Sequence, residues 1–384
     1  MIEQLHVQQA LLDEVKKVVA ALPKMQAVRP EIRGGVIRDG HGNVIGDYSQ
    51  SYVEETYNGP VATGPGGQAI QVQAHIEVPD PAQREADKAR IRYLKHLSQR
   101  CNVLPLAALG AEEGVGDEVT LDQVYVALDT KTLVPLSEEE KRQHRSDFSV
   151  MRGEDNRPLT ALEAAIQNRC LVLLGDPGSG KSTFARQVTA RLAAAQLDEG
   201  KTEPGWEPDL VPFFVSLREL VPSLAQVKLK GLSEEMASGE LVKAVRQHLS
   251  TLLAEAKAEA WDSSLEDVLR DGKVVLFLDG LDEVPEACRE RVRKAVSALL
   301  RCYPLKRVVV TCRVRSYTGS AVLPGFAAHT LAPFDEQKIK GFVEAWYRAQ
   351  VALKRLEEAH ARERVADLQH AVLGAELQEL ASNP

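Results

Sequence analysis

The sequence predicts an α/β fold with a five-stranded, mostly parallel sheet and flanking helices, preceded by a smaller α+β N-terminal region. Short apolar segments rich in β-branched residues alternate with helical segments, which is typical of a parallel sheet covered on both faces. A glycine-rich octapeptide, Gly175–Ser182, lies directly between the first of these apolar segments and a helix. The predicted strands are Cys170–Leu174, Val211–Leu217, Val274–Asp279, Arg307–Cys312 and Ala328–Leu331.

Composition limits the classes of protein and partner. A chain of 384 residues with 44% hydrophobic and 27% charged residues is long enough for two or three globular domains. The formal net charge of −8 provides no overall attraction to nucleic acid, so no nucleic-acid partner is predicted. No apolar run approaches the roughly 20 residues that span a bilayer, and no membrane partner is predicted. Scattered cysteines and a start without signal-peptide features predict a cytoplasmic location.

Residues 1–80 form the first predicted segment. An amphipathic helix is expected at 2–22, and a glycine-rich stretch runs from about 30 to 80. Asp-Gly and Gly-Asn pairs in that stretch favour turns with positive φ, as in β-hairpins. A loosely ordered linker has the same composition, and the sequence leaves the two alternatives open. The helix at 2–22 is a candidate surface for recruiting a separate effector protein, and packing within a helical hairpin explains it equally well.

Residues 81–157 form the second predicted segment. A helix is expected at 82–101, a strand at 123–128 and a charged, solvated linker at 137–157. The α/β domain that contains the glycine-rich octapeptide is expected at 158–335, with Thr160 as the N-cap of the helix Ala161–Gln167. Residues 336–384 are expected to begin a helical subdomain. One apolar stripe of the helix at 82–101 is predicted to contain Ile91, Leu94, Leu97 and Cys101.

The octapeptide fits the motif G-x-x-x-x-G-K-[ST], the Walker A or P-loop motif of phosphate binding. Glycines let backbone N–H groups surround phosphate oxygens, and the following helix points its positive end at the same anion. Lys181 then reaches the terminal phosphates while the Ser182 hydroxyl binds Mg²⁺. The alternative is an ordinary Gly/Ser turn before a helix. The predicted nucleotide-binding residues are Gly175, Asp176, Pro177, Gly178, Ser179, Gly180, Lys181, Ser182 and Thr183.

Acidic side chains follow a second apolar strand. Asp279 ends the strand, where Mg²⁺ bound beside the phosphate loop requires a second anchor, as in a Walker B strand. Asp282 and Glu283 come directly afterwards and are positioned to orient or deprotonate an attacking water. They also precede a predicted helix at 286–301, so a role as helix caps is the alternative.

Arginines flank the next strand. Arg313 lies at its carboxyl end, where a guanidinium can stabilise charge on a γ-phosphate. Solvation or a salt bridge with a neighbouring acid is the alternative for this residue. Arg307 and Arg315 are interpreted as solvated flanking residues.

Other classes of phosphate-loop protein are disfavoured. The apolar segment Val211–Leu217 separates the phosphate loop from the acidic strand, as in the P-loop class that carries a catalytic acid. No N-K-x-D guanine signature follows the loop, which argues against a GTPase. No L-S-G-G-Q stretch is present, which argues against a transporter ATPase.

Taken together, these motifs resemble a NACHT domain of the STAND class of signal-transducing ATPases, in a bacterial member. The resemblance covers roughly 158–384, and its Asp-Gly-x-Asp-Glu form is fairly specific to NACHT domains. It reaches more weakly into Tyr93–Leu97 and Val124–Val126. The segments that carry it are Gly175–Thr183, Phe214–Leu220, Leu278–Pro285, Thr311–Arg313 and Leu331–Phe334, with Phe342 and Trp346.

The resemblance implies ATP or ADP and Mg²⁺ as cofactors, with slow hydrolysis. It implies a signalling switch that oligomerises with itself on activation, similar in role to defence ATPases. An AAA+-like mechanical ATPase and a non-hydrolysing nucleotide-dependent scaffold are the alternatives. The implied site residues are Lys181 and Ser182 for the phosphates and Mg²⁺, Asp279 as second metal anchor, Asp282 and Glu283 for hydrolysis, and Arg313 as γ-phosphate sensor.

The C-terminal segment Leu377–Pro384 resembles the family's helical segment whose Asn-Pro approaches the adenine. Pro384 is therefore predicted to contact the nucleotide. Family members continue into a winged-helix lid and a sensor region, so the chain is expected to be truncated. Because a two-state switch needs differential contacts in each state, we expect weak ATP–Mg²⁺ binding and poor switching without the lid. Tight ADP retention through purification would contradict this expectation.

Overall fold

The computed structural model describes residues 36–38, 44–47, 52–61, 70–79, 81–104, 119–137, 156–197, 205–207 and 209–372. The chain divides into two compact units, Met1–Glu85 and Ala86–Pro384. The predicted helix at 2–22, most of the predicted linker at 137–157, and Pro384 lie outside the described residues.

The described residues of the first unit form two antiparallel strand pairs. Strand β1 (Val36–Arg38) pairs with β2 (Val44–Asp47), and β3 (Tyr52–Val61) pairs with β4 (Ile70–Pro79) over ten residues each. Of the two alternatives for the glycine-rich stretch, the described residues therefore adopt paired strands.

The second unit contains the predicted parallel sheet. Its strands are β7 (Cys170–Leu174), β8 (Val211–Ser216), β9 (Val274–Asp279), β10 (Arg307–Cys312) and β11 (Ala327–Thr330). Their order in the sheet is β11-β7-β10-β9-β8, and every neighbouring pair is parallel, which confirms the predicted five strands. The observed ends differ by one residue from the predicted ends at β8, where Leu217 begins a helix, and at β11.

Helices surround this sheet, and the central strands are almost wholly buried. Thr160 caps α3 as predicted, because its side chain accepts the Glu163 N–H at 3.1 Å. None of the described helices is long and apolar enough to cross a membrane. The helices are α1 (Pro81–Asn102), α2 (Leu121–Val124), α3 (Ala161–Gln167), α4 (Lys181–Ala195), α5 (Leu217–Gln226), α6 (Glu234–Glu255), α7 (Asp262–Arg270), α8 (Glu286–Cys302), α9 (Glu336–Ala352) and α10 (Glu358–Val372).

The strand predicted at 123–128 is wrong. The short helix α2 occupies its first residues, and the chain is irregular from there to Leu128. Gln123 explains the difference, because its side chain accepts the Thr120 N–H at 3.0 Å and so completes a helical first turn. The strand begins only at β5 (Asp129–Pro135), which pairs antiparallel with β6 (Asn156–Thr160).

Helix α1 packs beside the edge strand β8. The Tyr93 ring lies 5.0 Å from the Phe213 ring and 5.8 Å from the Trp261 ring, and its hydroxyl donates to the Pro212 carbonyl at 3.0 Å. Ile91 is 47% exposed, so its predicted place on the apolar stripe is wrong. At about 100° per residue, Ile91 lies almost opposite Tyr93 on the helix.

Residues of the segment before β6 contact two helices, α4 and α9. Asp122 accepts hydrogen bonds from Gln187 and Arg191 on α4, at 2.8 Å and 3.0 Å. Lys338 on α9 forms an ion pair with Asp129 at 2.5 Å. These contacts attach residues of α2 and β5 to the helix that follows the glycine-rich loop and to α9.

Candidate nucleotide-binding site

The phosphate loop connects β7 to α4, and its shape requires glycine at two positions. Gly180 is the N-cap of α4 with φ of +79°, a conformation that side chains rarely adopt. At Gly175 a Cβ atom would lie 2.2 Å from the Ser179 hydroxyl oxygen. The loop is therefore a tight turn that leaves the first N–H groups of α4 facing its interior.

Lys181 extends back over this loop. Its ammonium donates to the carbonyl oxygens of Gly175 and Asp176 at 2.9 Å and 2.8 Å, and to the Ser179 hydroxyl at 3.2 Å. The pKa of Lys181 is lowered from its ordinary value, mainly because the ammonium is partly buried. The nearby Asp282 carboxylate opposes this shift, and the Arg313 guanidinium adds to it. The lysine, the acid and the arginine predicted for the site therefore lie within electrostatic reach of one another.

Ser182 and Asp279, the residues predicted to hold Mg²⁺, form one corner of the site together with Thr311. The Ser182 hydroxyl donates to Asp279 Oδ1 at 2.9 Å, and the Thr311 hydroxyl donates to the same oxygen at 2.6 Å. Hydroxyl and carboxylate oxygens are suitable ligands for Mg²⁺, so the predicted pair of ligands fits that ion. The described part of the chain contains no group of three or more His, Cys, Asp or Glu able to hold a metal. A site with only the Ser182 hydroxyl and the Asp279 carboxylate as protein ligands suits Mg²⁺, which would take its remaining ligands from nucleotide phosphates and water.

Asp282 and Arg313 form an ion pair beside this corner. Arg313 Nε lies 2.8 Å from Asp282 Oδ2, and the Arg313 backbone N–H donates to Asp282 Oδ1 at 3.1 Å. The Asp282 side chain is 9% exposed, whereas the Arg313 side chain is 52% exposed. The salt bridge left open as an alternative for Arg313 is therefore present. The salt bridge and the backbone hydrogen bond together engage both oxygens of Asp282, and about half of the Arg313 side chain stays accessible.

Glu283 is the exposed acid of the pair. Its carboxyl group lies close to Gly280, the residue directly after β9, since a Cβ added to Gly280 would meet Glu283 Cδ at 3.2 Å. The N-cap of α8 is Pro285, so neither acid caps that helix and the helix-cap alternative is wrong.

The structure brings only some of the predicted site residues together. Lys181, Ser182, Asp279, Asp282 and Arg313 are brought together by the contacts given above. Asp176, Pro177 and Gly178 are exposed on the loop, and Thr183 is partly buried in the first turn of α4.

Two outcomes concern residues that the sequence interpretation placed differently or overlooked. Thr311 was overlooked, although a polar residue at the end of an otherwise apolar strand was a usable signal. Arg307 is not a solvated flanking residue, because its guanidinium carbon lies 5.2 Å from the Trp206 ring centroid. Arg315 is exposed, as predicted.

Comparison with known families identifies the central region. A family model described as the NACHT domain matches residues 169–350. This range contains the phosphate loop, the strand β9 that ends at Asp279, and the strand β10, which Arg313 directly follows.

Two solved structures are similar at low sequence identity. Domain III of the Thermotoga maritima replication initiation protein DnaA is 13% identical, with a TM-score of 0.30, over 65% of this chain and 88% of that one. A chain from the E. coli MS115-1 HORMA:CdnC:Trip13 complex is 14% identical, with a TM-score of 0.28, over 66% of this chain and 82% of that one. Scores this low support no functional inference.

Proposed function

We propose that this chain is a slowly hydrolysing ATP switch of a signalling pathway. Its NACHT domain, at residues 169–350, implies a nucleotide-binding P-loop NTPase. The observation that carries the proposal is the convergence of Lys181, Asp279 and Arg313 at the carboxyl edge of one parallel sheet. Ligands of open α/β sheets bind at this edge. A cation, a metal anchor and a phosphate sensor at one place suit a triphosphate better than an uncharged ligand.

Each residue is proposed to act on a different part of the nucleotide. The Lys181 ammonium and the N–H groups of the loop would bind the terminal phosphates. Ser182 and Asp279 would hold Mg²⁺, which supplies positive charge to the β- and γ-phosphate oxygens when bound. The accessible part of Arg313 would stabilise negative charge that develops on the γ-phosphate.

The two acids are proposed to divide their roles. Asp282 orients Arg313, because the guanidinium and the backbone N–H of that residue occupy both of its oxygens. Glu283 is exposed, and its carboxylate is therefore the better candidate to orient the attacking water. This division makes Glu283 the residue on which hydrolysis depends.

The wider role is proposed from the family. The switch would oligomerise with itself when ATP is bound and would pass its signal to an effector through the N-terminal region. The proposed pathway is bacterial defence, the role that the resemblance to NACHT domains implies. A reducing cytoplasm is the proposed location, and the finding that all five cysteines are free supports it.

A non-hydrolysing nucleotide-dependent scaffold is the second candidate. The observation in its favour is that Asp282 has both oxygens occupied, which leaves only one of the two predicted acids for hydrolysis. Under this alternative, nucleotide binding alone would control assembly.

Phosphate release by the purified chain, with ATP affinity and particle mass measured in parallel, tests these proposals. Wild type should release phosphate slowly. Because weak ATP binding and poor switching are expected of this chain, saturating ATP should produce only a modest excess of larger particles over ADP. Glu283→Gln should keep ATP binding and lose roughly 10²- to 10⁴-fold in turnover, the range for general acid–base groups. Glu286→Gln, an exposed acid three positions further on, is the matched control and should behave as wild type.

Three results would count against these proposals. Nucleotide binding without turnover in wild type and Glu283→Gln alike would favour the scaffold. A wild-type chain that binds no nucleotide would contradict both candidates. Equal particle mass with ATP and ADP would contradict nucleotide-dependent oligomerisation.

A further inference from the structure

We propose that Thr311 is a positioning residue for the metal anchor, and that its hydroxyl holds the Asp279 carboxylate in the orientation that Mg²⁺ requires. The inference rests on the proposed function, since it assumes that the site binds ATP with Mg²⁺. Thr311 itself would touch neither the nucleotide nor the metal.

The hydrogen bonds of Thr311 fix the direction of its hydroxyl proton. The hydroxyl oxygen lies 2.8 Å from the Gly280 nitrogen and 2.6 Å from Asp279 Oδ1. A backbone N–H only donates, so the threonine oxygen must accept from Gly280. A carboxylate only accepts, so the threonine proton must point at Asp279. The hydroxyl therefore connects the carboxylate to the backbone of the residue directly after it.

The position of Thr311 in the sheet makes this connection rigid. Strand β10 lies between β7 and β9, and the register pairs Thr311 with Leu173 and Val310 with Leu278. Thr311 is 2% exposed, so its side chain has little room for another rotamer. Its hydroxyl is thus presented from the strand adjacent to the metal anchor, in the middle of the sheet.

Removing the hydroxyl would take one hydrogen bond from each of two groups. The Gly280 N–H would lose its buried acceptor, and Asp279 Oδ1 would keep only the Ser182 hydroxyl as a donor. Because hydrogen bonds to metal-ligating carboxylates set their orientation, losing such a bond typically costs about 10- to 100-fold in metal affinity. The free carboxylate would then have to adopt its binding orientation when the metal arrives.

A purely structural role is the competing explanation, and a second buried threonine separates the two. Thr189 is 0% exposed, and its hydroxyl donates to the Ala185 carbonyl at 2.7 Å within α4. Thr189→Val removes a buried hydroxyl as Thr311→Val does, but at a place with no link to Asp279. Thr311→Ser keeps the hydroxyl and removes only a methyl group.

The experiment titrates Mg²⁺ into the full chain with a fluorescent ATP analogue and reads nucleotide affinity, with EDTA as the metal-free reference. Thr311→Val should raise the Mg²⁺ concentration for half-maximal tightening about 10- to 100-fold and leave the metal-free affinity unchanged. Thr311→Ser and Thr189→Val should titrate as wild type, whatever their melting temperatures. Thr311→Ala replaces the valine variant if the latter does not fold.

Two results would overturn the inference without touching the proposed function. In the first, Thr311→Val or Thr311→Ala needs the same Mg²⁺ concentration for half-maximal tightening as wild type. In the second, Thr189→Val raises that concentration as much as Thr311→Val does. Nucleotide binding by wild type that does not respond to Mg²⁺ would overturn it as well. A wild-type chain that fails to bind the analogue at all would instead contradict the proposed function.

Discussion

The phosphate loop and the strand ends opposite it hold their polar groups through contacts of different range. In the loop, the three hydrogen bonds of Lys181 reach positions 6, 5 and 2 residues away. At the strand ends, the bond from Ser182 to Asp279 spans 97 residues and that from Thr311 to Asp279 spans 32. One half of the site is a local turn, and the other is a product of strand pairing.

This difference determines how each half should respond to change. The loop is specified by one short segment, so a substitution there should alter phosphate binding with little effect elsewhere. The strand-end half depends on the register of β9 against β10, in which Val310 lies opposite Leu278. A substitution in that half should therefore act through its partner residues as well as on the ligand.

The largest expected effect tests the local half. Lys181→Ala removes the ammonium, and hydrogen bonds to charged groups contribute about 1.5–3 kcal/mol each, so ATP affinity should fall roughly 10- to 150-fold. Isothermal titration calorimetry measures the affinity, and chemical unfolding measures the stability. The control is Lys243→Ala, which removes a lysine whose side chain is 75% exposed on α6.

A result in which Lys181→Ala keeps wild-type ATP affinity would show that the loop does not bind the terminal phosphates. Unfolding at a much lower denaturant concentration would show instead that the lysine mainly stabilises the loop. The comparison predicts a larger change in ATP affinity than in the free energy of unfolding. The free energy of unfolding should fall by about 1 kcal/mol, the typical effect of a single substitution.

A smaller effect is expected from the pair Asp282 and Arg313, which spans 31 residues. Arg313→Met leaves a carboxylate that is 9% exposed without its cation, which should lower the free energy of unfolding by about 1–3 kcal/mol. Asp282→Asn removes the charge but can still accept the backbone N–H, so its cost should be about 1 kcal/mol or less.

The double variant decides whether the two residues act as a pair. Asp282→Asn should restore most of the stability that Arg313→Met loses, because no unpaired carboxylate then remains. Urea unfolding of the four proteins gives the coupling energy of the cycle. Strictly additive losses would mean that the ion pair contributes nothing and that each residue is held by other contacts.

The same local and non-local distinction explains what the sequence predicted. The five strands were predictable because buried parallel strands are continuous apolar runs, and the loop was predictable because its motif is contiguous. The Asp282–Arg313 pair and the Thr311 bond depend on strand order, which no short segment contains. The contact of Arg307 with Trp206 was missed for the same reason.

The wrong strand at 123–128 has a different cause. Its residues are apolar and β-branched enough for a strand, but the Thr120–Gln123 capping contact selects a helical turn first. A local hydrogen bond thus overrode local propensity. The prediction failed because periodicity was weighed without the polar residue that begins the turn.

The smallest expected effect is a change in the alkylation rates of two cysteines that lie in different regions and have similarly raised pKa values. Burial raises the pKa of Cys312, between Thr311 and Arg313, and that of Cys101, on α1, to about 11 in each case. At pH 8 only about one thiol in a thousand is then ionised, so both should label slowly and gain about tenfold in rate per pH unit up to that pKa. Cys302 is exposed and should label first.

Mass spectrometry after alkylation, with and without ATP, measures the rates at each site. Because a bound ligand stabilises the region it contacts, ATP should slow labelling of Cys312 more than that of Cys101. Equal slowing at the two positions would mean that both are reached only by global unfolding, and that the strand-end half opens no more easily than the core.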